Sequence, residues 1–198
     1  MPGVAAILLA AGESKRMGEP KALLPWQDSP SLLAYQLAQL AAVDDVSAIV
    51  LVSGHEAERI ERVAAGAPKT RIARNDAYRT GKVSSILAGL QAAPEDATAV
   101  LLLAVDQPRP AALLRALVEA HRAAGARITV PAHLGHRGHP VIFDASLREE
   151  LRAIDEATQG IRAVLRRHAA EVYEVPFEDA AVLLDLNTPE DVAGAQHG

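Results

Sequence analysis

Apolar residues recur along the chain in two alternating patterns. Short runs of strand length are followed by longer stretches with the three-to-four-residue spacing of a helix. Val4 to Ala10 is a continuous apolar run, as expected for a strand covered on both faces. Ser31 then stands as a helix N-cap ahead of Leu33, Leu37 and Leu40, which share one face. Residues 48–52 read as a second strand, 57–65 as a helix and 70–73 as a short third strand. Residues 83–93 read as a helix with Ile86, Leu87 and Leu90 apolar. Residues 99–105 are the most hydrophobic strand, and Pro110 opens a long helix with Leu113, Leu114, Leu117 and Val118 inward. This alternation predicts a parallel sheet with helices on both sides and right-handed crossovers. After about residue 127 it breaks. Residues 128–131 and 140–143 read as strands close in sequence, flanking a His- and Gly-rich loop. Helices are expected at 147–154 and 161–168, late strands at 172–175 and 182–186, and a terminal helix from Pro189. No repeat, low-complexity linker or boundary interrupts the pattern, so residues 1–198 are expected to form a single domain.

Composition narrows the function more than the fold. Hydrophobic residues make up 49% and charged residues 23%, an ordinary globular balance. The absence of cysteine excludes disulfides, cysteine zinc sites and thiol catalysis together. A net charge of -5 and a pI near 5.8 argue against a nucleic-acid partner. The apolar N-terminus is too short to span a bilayer and lacks the basic start of a signal peptide, so a cytoplasmic protein with no membrane partner is expected. Basic residues concentrate at Lys15, Arg16 and Lys21, which on an acidic protein suggests a small anionic ligand.

That basic segment follows the first strand, and ligands of open α/β sheets bind beyond the carboxyl ends of strands. It carries Gly12, Ser14, Arg16, Gly18 and Lys21. Glycines let backbone N–H groups approach a ligand, and two cations suit a polyphosphate. Neither the Walker pattern nor the Gly-x-Gly-x-x-Gly fingerprint is present. Glycine, arginine and lysine alone leave a solvated basic loop as the stronger reading.

The full string, Leu9-Ala10-Ala11-Gly12-Glu13-Ser14-Lys15-Arg16-Met17-Gly18-Glu19-Pro20-Lys21 with Leu23-Leu24-Pro25 after it, resembles the signature of the MobA-like nucleotidyltransferases. It is most similar to the branch of molybdenum cofactor cytidylyltransferases. The resemblance implies a Rossmann-like three-layer α/β fold, mostly parallel, with an antiparallel strand in the second half. It implies that the loop wraps a triphosphate, with Arg16 and Lys21 on phosphates, backbone contacts at Ala11, Gly12 and Gly18, and Leu9, Ala10, Ser14 and Asp106 also at the nucleotide. It also implies CTP as substrate, because Leu-Ala-Ala-Gly is typical of the cytidylyl branch and Leu-Ala-Gly-Gly of the guanylyl branch.

Other segments extend the resemblance over nearly the whole chain. Gly81-Lys82-Val83-Ser84-Ser85 is similar to the family segment that holds the base, with Gly81, Ser84 and Ser85 as contacts. The two serines are also ordinary helix caps. Asp106-Gln107-Pro108 ends the most buried strand, where an unpartnered carboxylate is costly. The resemblance makes Asp106 a Mg2+ ligand, a stronger reading than a cap for the helix at Pro110. Asp185-Leu186-Asn187-Thr188-Pro189-Glu190-Asp191 resembles a late family motif that supplies a second ligand, Asp185 first and Asn187 next. Asn187 or Thr188 could equally cap the terminal helix. His133, His136 and His139 lie three apart in a glycine-containing loop, which is not a zinc template. Gly138-His139-Pro140 resembles an element near the acceptor, so Gln107, Arg137 and His139 are expected on that side.

The expected reaction is Mg2+-dependent attack of a phosphate on the α-phosphate of CTP, with pyrophosphate leaving. Arg16, Lys21 and Asp106 would carry the catalysis by charge neutralisation and positioning. The acceptor would be a molybdopterin-type cofactor, with a molybdoenzyme as a possible recipient of the product. Competing readings are guanylyl or sugar-phosphate transfer on the same fold, a nicotine-blue-type oxidoreductase, and a non-catalytic molybdenum cofactor accessory protein.

Overall fold

The computed structural model describes residues 3–14 and 18–196. One eight-stranded sheet runs through it. The strands are β1 (Val4–Leu9), β2 (Val46–Ser53), β3 (Thr70–Arg74), β4 (Ala99–Ala104), β5 (Ile128–His133), β6 (His136–Arg137), β7 (Val141–Asp144) and β8 (Val172–Pro176). The helices are α1 (Leu32–Ala41), α2 (Ala57–Ala64), α3 (Lys82–Ala92), α4 (Ala111–Ala124), α5 (Arg148–Arg152), α6 (Ile161–Arg167) and α7 (Pro189–Gln196). The strand order is β3-β2-β1-β4-β7-β5-β6, with β8 paired to β5. The first four strands pair in parallel, and β7 runs antiparallel between β4 and β5. The antiparallel strand expected in the second half is therefore β7.

The period-2 alternation of β1 explains the three layers. Val4, Ala6, Leu8 and Ala10 enter one core with α1, α2 and α4. Ala5, Ile7, Leu9 and Ala11 enter the other with α3, α5 and α6. A strand with two dry faces must be apolar at every position, which is what the sequence has. The cap of α1 is the expected one: Ser31 Oγ accepts the Ala34 N–H at 3.1 Å.

Two expectations need correction. Residues 182–186 are not a strand: residues 180–183 form a 3-10 turn, and the chain from there to Asn187 joins no ladder of the sheet. Val182 and Leu186 are buried, which gives the apolar pattern, yet the carbonyls of Val182 and Leu184 are taken by the Arg109 side chain and not by a ladder. Conversely, the His- and Gly-rich loop contains a strand, β6, which turns back on β5 through Leu134 and Gly135. No helix among the described residues is long and apolar enough to cross a membrane.

Candidate active site

The strand order reverses direction between β1 and β4, and open α/β sheets leave a crevice at that switch point. A cavity of about 560 Å3 lies there, a size usual for small-ligand sites. Its floor is the end of β1 and its loop, Leu9 to Ser14. Ala10 donates its N–H to Val52 O, and Ala11 O accepts from His55 N–H, so the chain leaves the sheet at a fixed angle. Ser14, in the left-handed region at φ 48°, accepts the Lys21 N–H on its hydroxyl at 3.0 Å. This bond ties the two ends of the basic loop together and aims Lys21 back into the cavity.

Lys21 Nζ donates to Asp106 Oδ2 at 2.9 Å and to Asn187 Oδ1 at 3.2 Å. Asp106 follows β4, and its carbonyl accepts from Leu186 N–H at 2.9 Å, which brings the 185–187 segment alongside. Asn187 is held by its own helix start. Asp191 accepts the N–H groups of Asn187 and Thr188, each at 2.8 Å, and the Thr188 hydroxyl accepts the Asp191 N–H. This is a reciprocal cap of the capping-box kind. Thr188 therefore caps α7, while the Asn187 side chain faces the site.

The opposite wall comes from the start of α3. Gly81 sits at φ +131°, and a Cβ there would lie 1.9 Å from Glu156 Oε1, so a side chain would be strained and would displace that carboxylate. That oxygen accepts the Val83 N–H at 2.8 Å, so Glu156 caps α3 and the serines do not. Ser85 lines the cavity, whereas Ser84 turns its hydroxyl back to Gly81 O and Ala77 O. Asn75 donates to both serine hydroxyls, at 2.9 and 3.0 Å.

The predicted residues thus divide. Leu9, Ala10, Ala11, Gly12, Ser14, Lys21, Gly81, Ser85, Asp106 and Asn187 all line one cavity. Arg16 lies outside the described residues. Gly18 sits in an exposed turn at φ +72° and is not in the lining. Asp185 is exposed and adds negative field to Arg109 and His139, but Asn187 is the one that reaches the cavity. Gln107 points inward: it is buried, and its amide oxygen accepts the Ala104 N–H. Arg137 on β6 is held by Glu174 on β8, at 2.8 Å. His139 is half-buried beside the site. Burial, then the charge of Lys82, pushes its imidazole below the usual value against Asp185 and Asp106. Asp106 does not cap α4: the Ala111 N–H at its start donates to Gln39 Oε1 at 2.8 Å. The three loop histidines do not gather, since His133 bonds Phe177 O and His136 is exposed on β6. The described residues contain no group of three or more potential His, Asp or Glu metal ligands.

Sequence reasoning missed Tyr78, Lys82 and Glu13 in the lining, and the supports Asn75, Glu156 and Arg109. Tyr78 had a signal. It is one of only 3 tyrosines, set three residues before Gly81 in a polar loop.

Asp106 and Asn187 offer hard oxygens that already converge on one cation, the Lys21 ammonium. Oxygen donors suit Mg2+ or Mn2+, and Mg2+ commonly takes one or two protein oxygens with phosphate and water completing its shell. The residues fit such an ion.

A lysine and a carboxylate that meet beside a glycine-containing loop, at the switch point of the sheet, suit a phosphate-bearing ligand. The chain belongs to the MobA-like NTP transferase domain family, which matches residues 6–172. The nicotine blue oxidoreductase of Paenarthrobacter nicotinovorans is 32% identical over 97% of this chain and 96% of that one. The molybdenum cofactor cytidylyltransferase of Escherichia coli K12 is 27% identical over 99% and 97%. Among solved structures, Rv0371c of Mycobacterium tuberculosis H37Rv matches with a TM-score of 0.80 at 25% identity, over 100% of this chain and 98% of that one. A manganese complex of Rv0371c shares the fold, with a TM-score of 0.74 at 24% identity.

Proposed function

We propose that the protein transfers CMP from CTP, with Mg2+, to the phosphate of a molybdopterin-type acceptor and releases pyrophosphate. The observation that carries this reading is the convergence of Lys21, Asp106 and Asn187 at the end of a loop suited to a triphosphate. The name of the Escherichia coli relative and the Leu9-Ala10-Ala11-Gly12 sequence favour CTP over GTP.

In the reaction an acceptor phosphate oxygen forms a bond to the α-phosphorus as the bond to the β-phosphate oxygen breaks. A phosphate monoester has its second pKa near about 6, so the nucleophile is ionised at neutral pH and no general base is required. The barrier is repulsion between anions, and the groups that answer it are electrostatic. Lys21, released from Asp106 by the incoming nucleotide, offsets charge on the departing pyrophosphate, with Arg16 as its partner. The loop from Leu9 to Ser14 orients the triphosphate. Gly81 and Ser85 bound the base, and Tyr78 gives that side an aromatic surface. Asp106 and Asn187, with Asp185 nearby, would hold Mg2+, which when bound supplies charge neutralisation on the phosphates. His139 faces the acceptor side.

Pyrophosphate release with each of the four NTPs, Mg2+ and a molybdopterin-type acceptor tests the reading. CTP is expected to exceed GTP, ATP and UTP, and equal or higher rates with GTP would move the assignment to guanylyl transfer. The likeness to a nicotine blue oxidoreductase favours one second reading, reduction of a quinone-like dye by NAD(P)H. The absence of a Gly-x-Gly-x-x-Gly turn after β1 weighs against it, and loss of NADH absorbance with such a dye would support it.

A further inference from the structure

We infer that Arg109 is a positioning residue that clamps together the metal-facing and acceptor-facing half of the site without touching a substrate. Its side chain is 0% exposed. Nη1 donates to Pro108 O at 2.9 Å, and Nε donates to His139 O at 2.8 Å. Nη2 donates to Val182 O at 2.8 Å and to Leu184 O at 3.0 Å. A buried guanidinium ordinarily pairs with a carboxylate. This one instead satisfies four carbonyls on three segments remote in sequence. Asp106 lies three residues before it, His139 is one of its acceptors, and Asp185 and Asn187 stand one and three residues after Leu184.

The junction is tight from the other side as well. Val182 O also accepts the His139 N–H at 3.0 Å. A Cβ on Gly138 would come within 2.1 Å of that same oxygen. Leu186 N–H in turn reaches Asp106 O. Removing the guanidinium would leave several inward carbonyls without a donor and free the three segments to shift separately. The nucleotide loop from Leu9 to Ser14 hangs on β1, and Ser85 hangs on α3. Neither is bonded to Arg109, so once Mg2+ is saturating the effect should split: acceptor binding weakened, and the nucleotide contacts of that loop and of Ser85 spared.

This inference rests on the proposed function: on its metal site for the Mn2+ arm and on nucleotidyl transfer for the activity arm. The variants are Arg109→Met, Arg109→Lys and Gly138→Ala. The first readout is Mn2+ binding to the free protein, followed by electron paramagnetic resonance without turnover. The second is the KM for CTP against the KM for acceptor in pyrophosphate release. Arg109→Met is expected to weaken Mn2+ binding about tenfold or more and to raise the acceptor KM, with the CTP KM at saturating Mg2+ within about threefold of wild type. Gly138→Ala should shift the same parameters from the opposite side of the contact, and Arg109→Lys should recover part of the loss. Unchanged Mn2+ affinity in folded variants overturns the inference, as does a CTP KM that rises as much as the acceptor KM. If Arg109→Met does not fold, the other two variants decide. A wild-type protein that binds Mn2+ but turns over no NTP would defeat the transfer reading and leave the Mn2+ comparison to judge Arg109 alone.

Discussion

Replacing Asp106 by Asn separates the chemistry of the site from its stability. The carboxylate lies 2.9 Å from Lys21 Nζ, with the two side chains 24% and 12% exposed. At an effective dielectric constant of about 20, two unit charges at that distance attract by about 6 kcal/mol. Desolvation of both groups cancels most of this, leaving a net contribution of about 1–2 kcal/mol. Asparagine keeps the volume and one acceptor oxygen for Lys21, so the loss should sit near the lower figure. For a domain of this size that is about 2–4 °C in Tm. The effect on turnover should be far larger, because the carboxylate is the charged half of the proposed metal site and sets where Lys21 waits. A loss of about 1000-fold, or about 4 kcal/mol of transition-state stabilisation, is expected. Pyrophosphate release and thermal unfolding are measured on one preparation. Turnover within tenfold of wild type would refute the role. So would a turnover loss accompanied by a collapse in Tm, since the residue would then be structural.

Other outcomes follow from the packing and capping. Ile7 is fully buried in the core shared by β1 and α3, and Ile7→Ala should cost about 3–4 kcal/mol in urea unfolding; a loss below about 1 kcal/mol would show that the site collapses freely. Ser31→Ala removes the side-chain cap that Ser31 gives α1 and should cost about 1 kcal/mol, with Ser31→Asp close to neutral. His168 bridges Glu171 and Glu150, each at 2.7 Å, and these hydrogen bonds raise its pKa above the usual value. Its contribution to stability is therefore fully present below pH 6.5, the ordinary histidine value, and is lost as pH rises through the raised one. Urea midpoints across that range should fall with pH in the wild type and flatten in His168→Gln; parallel curves would remove His168 as the cause.

The first half of the chain was legible because β1, β2 and β4 are almost wholly buried and each helix has one apolar side. Val4–Leu9 and Ala99–Ala104 could be little else. The second half hid its structure for specific reasons. Residues 182–186 alternate like a strand, yet their carbonyls serve Arg109, whose identity as their partner lies more than 70 positions away. The two residues of β6 are too few to show a period. The cavity's floor could be read from a local string, Leu9 to Lys21. Its supports could not, because Glu156 caps α3 and Asn75 holds Ser85 through contacts that only the folded chain creates. The resemblance also ranked Asp185 above Asn187, whereas the side chain brought to Lys21 and Asp106 is that of Asn187.

The most direct test of the central claim follows the label of CTP carrying 32P at the α-phosphate, incubated with the protein, Mg2+ and a molybdopterin-type acceptor. Nucleotidyl transfer predicts that the label moves into the acceptor, that unlabelled pyrophosphate is released in equal amount, and that chelation of Mg2+ stops both. Label remaining in CTP, or appearing only in free CMP or CDP, would contradict the account.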